Sequence, residues 1–185
     1  MSIIEKKILK GLKLTNYNFK KPPLVVGGLA MEYYNIRKTG HDFDFVVSPV
    51  DWKDLKKMYP DKINLFGGQN EKDIDATINL DKVHVDLIST LFQFNYNYLS
   101  KGAIKNKDYK IIAIDKLLML KTLGAVFNNH IKSIKDQQKI VDNIVKINYS
   151  LARGLEKFLK RESKRKSKRK SKKKSKRESK TRKKS

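Results

Sequence analysis

The stretch LVVGGLAMEYYNIRKTGHDFDFVVS, from Leu24 to Ser48, constrains the fold more than any other part of the chain. An apolar run, Leu24-Val25-Val26, meets Gly27-Gly28, and residues 29–37 then read as a short helix. Phe43–Val47 reads as a second strand, closed by Ser48-Pro49. Glycine reaches backbone conformations that other residues resist, so the pair marks a turn between strand and helix. Thirteen residues separate Gly28 from Asp42, room for two helical turns and a reversal. The Gly-Gly backbone is thereby brought alongside the end of the second strand. Side chains two apart on a strand project to one side, so Asp42 and Asp44 share a face. A third carboxylate, Asp86, sits inside another strand-like run, VHVDLIS.

The remaining elements are read from periodicity. Residues 3–14 place Ile4, Ile8 and Leu12 at helical spacing with lysines between them, an amphipathic helix within an N-terminal segment 1–20. Pro22-Pro23 ends that segment and forces an extended entry into the first strand. Residues 51–59 read as a helix with Trp52, Leu55 and Tyr59 on one face, and Ile63–Phe66 as a strand before Gly67-Gly68. Ala76–Leu80 and Val83–Ile88 alternate around Asp81-Lys82 and predict a hairpin. A polar, Asn/Tyr-rich segment at 95–110 precedes helical patterns at 111–127 and 132–151. The order β-α-β-α-β-β-α-α predicts an α+β domain over 21–155, a mixed sheet flanked by helices with helices at its C-terminal end.

Residues 156–185 are a different material. From Ser163 the chain repeats SKRK SKRK SKKK SKRE SKTR, with no apolar residue after Leu159. Residues 160–185 hold 17 Lys/Arg against two Glu, a charge of +15 out of the total of +24, which leaves +9 for residues 1–159. A segment with nothing to bury cannot offset its ordering entropy, and like charges at i,i+4 oppose a helix, so disorder is the expectation. Such a tail suits RNA, DNA or another polyanion through phosphate neutralisation, or serves as a nuclear or nucleolar address; the bland alternative is a solubilising appendage. Its serines are candidate phosphorylation sites. The chain has no cysteine, which excludes disulfides and thiolate metal sites. The N-terminal residues lack the apolar core of a signal peptide, and no stretch approaches a membrane span. An intracellular protein, cytoplasmic or nuclear and without a membrane partner, is the expectation.

Three carboxylates beside a glycine turn that opens a helix point to chemistry on phosphates. A backbone cradle at a helix N-terminus receives phosphate oxygens. Mg²⁺ (or Mn²⁺) is held by a few carboxylates and completes its shell with water and substrate phosphate. Two such ions stabilise the attacking and leaving oxygens together. On this reading Asp42, Asp44 and Asp86 hold metal; on the bland reading they are a turn residue, a solvent-facing residue and a hairpin residue. Only four residues separate Gly67-Gly68 from a second D-x-D, Asp73-Ile74-Asp75, too few for an intervening helix, and these are read as loop or edge acids.

Gly-Gly, a short helix, then h-D-h-D-h and h-D-h resemble the polymerase-β-like nucleotidyltransferase superfamily, in particular its minimal members from abortive-infection and toxin–antitoxin systems. The resemblance covers roughly residues 20–147. It implies a small mixed sheet with the site at one edge, contact of Gly27 and Gly28 with the triphosphate of an NTP, and metal on Asp42, Asp44 and Asp86. It implies that the third acid also activates the attacking hydroxyl. Asp115 to Lys121 and Lys135-Asp136 look similar to a basic helix of these relatives, which makes Lys121 a candidate triphosphate contact. The implied activity is transfer of NMP from NTP to a hydroxyl on RNA or protein. The alternative is an inactive domain of this type tethered to nucleic acid by its tail. His41 is read as a turn residue beside the acids, His84 as lining the site or exposed, and His130 as surface. Tyr33 and Tyr34 are read as helix-core residues, and Phe92, Phe94, Tyr96 and Tyr98 as an edge strand or a base-stacking platform.

Overall fold

The structure is a computed structural model that describes residues 1–66, 75–128, 134–146 and 148. Gly67-Gly68, Asp73, His130 and the basic tail lie outside them. The chain divides into two units, 1–141 and 142–185. Of the second, the described residues 142–146 and 148 are helical.

The first unit opens with helix α1, Ile3–Leu14, started by a reciprocal cap: the Ser2 hydroxyl accepts from the Glu5 N–H and the Glu5 carboxylate accepts from the Ser2 N–H. Ile8, Gly11 and Leu12 form its buried stripe. Strand β1, Leu24–Val25, leads directly into α2, Gly27–Tyr33. The glycine pair is therefore the first turn of the helix as well as the bend before it. The helix stops at Tyr33 rather than at residue 37 because Asn35 takes a left-handed conformation. Ile36 N–H then bonds Met31 O and Asn35 N–H bonds Glu32 O, the paired closure that ends many helices.

Strand β2, Phe43–Val46, is followed by α3, Pro49–Met58, capped by Ser48 with Pro49 in its first turn. Leu55 of α3 is buried, and Trp52 and Tyr59 beside it are half-buried. β3, Ile63–Phe66, pairs antiparallel with β4, Asp75–Leu80. β4 pairs with β5, Val85–Ile88, as the alternation around Asp81-Lys82 predicts, but a 3₁₀ turn at Asp81–Val83 and left-handed His84 delay the second strand to Val85. A small ribbon of β6, Thr90–Leu91, and β7, Phe94–Asn95, precedes the short helix α4, Tyr96–Leu99. β8, Ile104–Lys105, β9, Lys110–Ile111, and α5, Ile114–Asn128, complete the labelled elements, and residues 134–141 are helical.

The seven strands of the main sheet run in the order β3-β4-β5-β2-β1-β9-β8. β2 pairs parallel with β5 and antiparallel with β1, and β1 pairs parallel with β9. The fold is thus a mixed sheet flanked by helices. β2 and β5 are its middle strands, and their residues Phe45, Val46, Val85 and Leu87 are fully buried. Each such side chain contributes about 1.5–3 kcal/mol on leaving water. The packing therefore concentrates where the acids are anchored. The aromatic run at 92–98 does not form one strand. Phe92 and Gln93 both take positive φ in a two-residue turn, Phe94 lies in β7, and Tyr96 and Tyr98 lie in α4. Tyr96 is buried and its hydroxyl donates to Pro22 O.

Candidate active site

Asp44 and Asp86 face one another across the central parallel pair, in register. Both strands carry the same burial pattern, in which the acid is the half-exposed residue between buried neighbours. Strand alternation therefore points the two carboxylates to the same side of the sheet. Burial, then the nearby Asp44, Asp42 and Asp81 carboxylates, push the Asp86 carboxyl up to about 6. Asp42 stands just before β2, mostly exposed, with its Oδ1 4.0 Å from His84 Nδ1. His84 reaches Asp42 rather than continuing the face of Asp86, because its left-handed backbone breaks the alternation that two-residue spacing assumes.

The glycine pair comes back to these acids. Gly27 has φ +57°, and a Cβ built there would lie 2.0 Å from Asp44 Oδ2. The carboxylate therefore rests against the backbone at the start of α2, which only glycine permits. A Cβ on Gly28 would lie 2.3 Å from Thr39 Oγ1. Thr39 is held there by its own N–H, which donates to Glu32 Oε2, and Lys7 Nζ donates to the same oxygen at 3.1 Å. Burial works to raise the Glu32 carboxyl, but these two partners hold it below its usual range. Leu29, next to the glycine pair, is fully buried and faces the core.

Lys121 is held in an ion pair. Its ammonium pairs with Asp136 at 3.2 Å, and Arg37 grips the same carboxylate with Nε at 2.7 Å and a second nitrogen at 3.0 Å. Asp136 is buried, which would raise its carboxyl, but Arg37 and Lys121 hold it low. Arg37 and Lys121 thus share one buried counter-ion between the loop after α2 and helix α5. The sequence assigns no partner to either. Its only signal is the Arg37, Lys121 and Asp136 charges themselves, too far apart in the chain to pair by spacing.

Other expectations resolve individually. The acids occupy the third and fourth of seven strands, not an edge of the sheet, because β4 flanks β5 on one side and β1 flanks β2 on the other. Asp75 is neither a loop acid nor an edge acid. It begins the internal strand β4, and its carboxylate accepts the N–H groups of Phe92 and Gln93, which fastens their strained turn. Tyr34 packs edge-on against Tyr33, and its half-buried hydroxyl donates to Ile112 O. Burial pushes that hydroxyl up to about 12. His41 is exposed.

The donor set suits a hard divalent cation: carboxylate oxygens whose mutual charge adds to burial in raising Asp86, with the backbone of Gly27 beside them. Among the described residues, however, no group of three or more His, Asp or Glu stands already arranged as a set of metal ligands.

No family model and no curated protein matches the chain. Among solved structures, the Megavirus polyadenylate synthase is similar to it over 81% of this chain and 34% of that one, with 18% identity and a TM-score of 0.48. The chain spans about a third of the length of that protein. No helix among the described residues is long and apolar enough to cross a membrane.

Proposed function

We propose that the chain is a metal-dependent nucleotidyltransferase that moves NMP from an NTP to a hydroxyl. One observation carries the reading: Asp44 and Asp86 lie in register on one sheet face, with Asp44 against the positive-φ backbone of Gly27. The same residues are those of the h-D-h-D-h and h-D-h pattern. Asp44 and Asp86, with Asp42 at the rim, would hold Mg²⁺ or Mn²⁺, and Gly27 and Gly28 would receive triphosphate oxygens. The cation supplies charge neutralisation at the phosphates. In the transfer the acceptor hydroxyl oxygen bonds to the α-phosphorus while the α–β bridging bond breaks and pyrophosphate leaves. The hydroxyl proton passes to the Asp86 carboxylate, the third acid of the pattern. Lys121 joins the triphosphate only if Asp136 releases it.

The test is a screen of labelled NTPs against total cellular RNA and protein with Mg²⁺ or Mn²⁺, comparing the wild type with Asp42→Ala/Asp44→Ala. Label transfer should appear with the wild type. It should fall in the variant by more than the roughly 10–100-fold that loss of a supporting metal-site partner costs. Calorimetry of NTP with and without Mg²⁺ separates the second reading, a catalytically inactive domain of this type tethered to nucleic acid by its basic tail, which the +15 charge of residues 160–185 favours. Equal NTP affinity in EDTA, with no transfer, would establish that second reading.

A further inference from the structure

Each glycine of the pair is faced by one oxygen. Asp44 Oδ2 fills the space beside Gly27. The Thr39 hydroxyl fills the space beside Gly28, where a Cβ would meet Oγ1 at 2.3 Å and the Thr39 Cβ at 3.2 Å. The chain returns to this point because left-handed Asn35 ends α2 and reverses its direction. Thr39 is then pinned through its backbone. Its N–H donates to Glu32 Oε2 at 3.1 Å, and Lys7 of α1 donates to the same oxygen at 3.1 Å. The Thr39 hydroxyl itself makes no hydrogen bond among the described residues.

We infer that the Thr39 hydroxyl donates to the triphosphate of the NTP and that Glu32 and Lys7 are positioning residues that hold it there, an inference that rests on the function proposed above. The anchoring argues for it. A threonine fixed by its backbone N–H keeps the proton of its hydroxyl for a ligand. The chemistry fits the place. A phosphate oxygen seated on the Gly28 backbone accepts hydrogen bonds, so the group beside it must donate one. The ionised carboxylate beside Gly27 cannot donate and serves the cation instead. Other groups that could fill the role are engaged. Lys7 is paired with Glu32, and Arg37 and Lys121 with Asp136. Leu29, directly after the glycines, is fully buried and offers nothing polar. The pairing of Lys7 with Glu32 has a further role. An unpaired carboxylate bonded to Thr39 would repel the triphosphate, and the Lys7 ammonium cancels that charge. Helix α1 thereby contributes to nucleotide binding through two residues that do not touch the nucleotide.

Calorimetry of the full chain with Mg²⁺ tests this, with inorganic tripolyphosphate and each of the four NTPs as probes. Thr39→Val keeps the side-chain shape and removes the donor, whereas Thr39→Ser keeps the donor and removes a methyl group. Thr39→Val should weaken tripolyphosphate and NTP alike by roughly tenfold or more, the loss expected when a hydrogen bond to a charged group is removed. Thr39→Ser should bind both as the wild type does. Glu32→Ala should weaken both probes by itself and add nothing to Thr39→Val, because the two changes act through one hydroxyl. A thermal melt of each variant separates these effects from loss of the fold, and Lys7→Met releases the same anchor should Glu32→Ala unfold. Unchanged affinity in Thr39→Val, or equal weakening in Thr39→Val and Thr39→Ser, overturns the inference; label transfer by the same protein leaves the function above standing. Additive losses from Glu32→Ala and Thr39→Val overturn the positioning role. Binding of tripolyphosphate that depends on the Thr39 hydroxyl, in a chain that transfers no NMP, overturns the function above and keeps the contact. A wild type that binds neither probe overturns both.

Discussion

At Asp86, burial and neighbouring charge act in the same direction. The carboxyl rises from an ordinary 3.8 to about 6, so between those values the folded chain keeps a proton that the unfolded chain releases. Stability therefore falls as pH rises through that window, and the penalty is complete above it. Asp86→Asn should consequently melt a few degrees higher than the wild type at about pH 7.5 without metal, each kcal/mol relieved moving Tm by roughly 2–4 °C in a chain of this size. The gap should vanish near pH 3.5, where the wild-type acid is already neutral. Identical melting differences at both pH values would contradict the combined effect of burial and of Asp44, Asp42 and Asp81 on this carboxyl. The acids themselves are legible in the sequence alone, because strand alternation is strict and the length between Gly28 and Asp42 leaves few ways to return. The pairing of Asp44 with Asp86 is legible there only as a pattern, since register between strands forty residues apart depends on packing around Phe45 and Leu87. The orientation of His84 is not legible at all. Two-residue spacing implies a shared face only in an extended backbone, and nothing local announces a histidine at positive φ.

The elements are joined by buried carboxylates that periodicity does not reveal. Asp51, in the first turn of α3, is fully buried. It accepts the N–H of Lys20 at 2.7 Å and of Lys21 at 3.3 Å, together with the hydroxyls of Ser48 and Tyr17. It thereby fastens the segment after α1 to α3. Partial burial, with Asp51 and Asp54 beside it, pushes the Tyr17 hydroxyl up to about 12. Asp51→Ala leaves two backbone donors without their acceptor, a loss of about 1–3 kcal/mol for each that stays buried. A chemical-denaturation midpoint should drop accordingly with an unchanged slope. An unshifted midpoint would show that water replaces the carboxylate at little cost. The strands β8 and β9 escape sequence reading for a related reason. Two-residue strands have no period to detect, and they exist because β1 offers Lys110 and Ile111 an edge.

For the whole molecule, charge is the dominant asymmetry. The tail carries +15 in 26 residues, against +9 for the rest. Removing residues 160–185 takes away no apolar side chain, so the melting temperature should hold. Affinity for RNA or DNA should fall most at low salt, because each duplex phosphate neutralised adds about 0.9 to the slope of log affinity against log salt. A salt series on the full and shortened chains, with a melt of each, checks both statements. An early melt would make the tail part of the fold, and equal slopes would remove it from nucleic-acid binding.

The parallel pairing of β1 with β9 also sets a schedule for biosynthesis. One edge of Leu24-Val25 is covered only by Lys110-Ile111. At 5–20 residues per second, the roughly 86 residues from Val25 to Ile111 take about 4–17 seconds to synthesise. For that interval the nascent chain presents an uncapped apolar strand next to the glycine hinge, the kind of edge on which other chains nucleate aggregates. Fast closure of α1 and α2 over that strand, or a chaperone at the ribosome, then decides the yield of folded protein before any nucleotide is met.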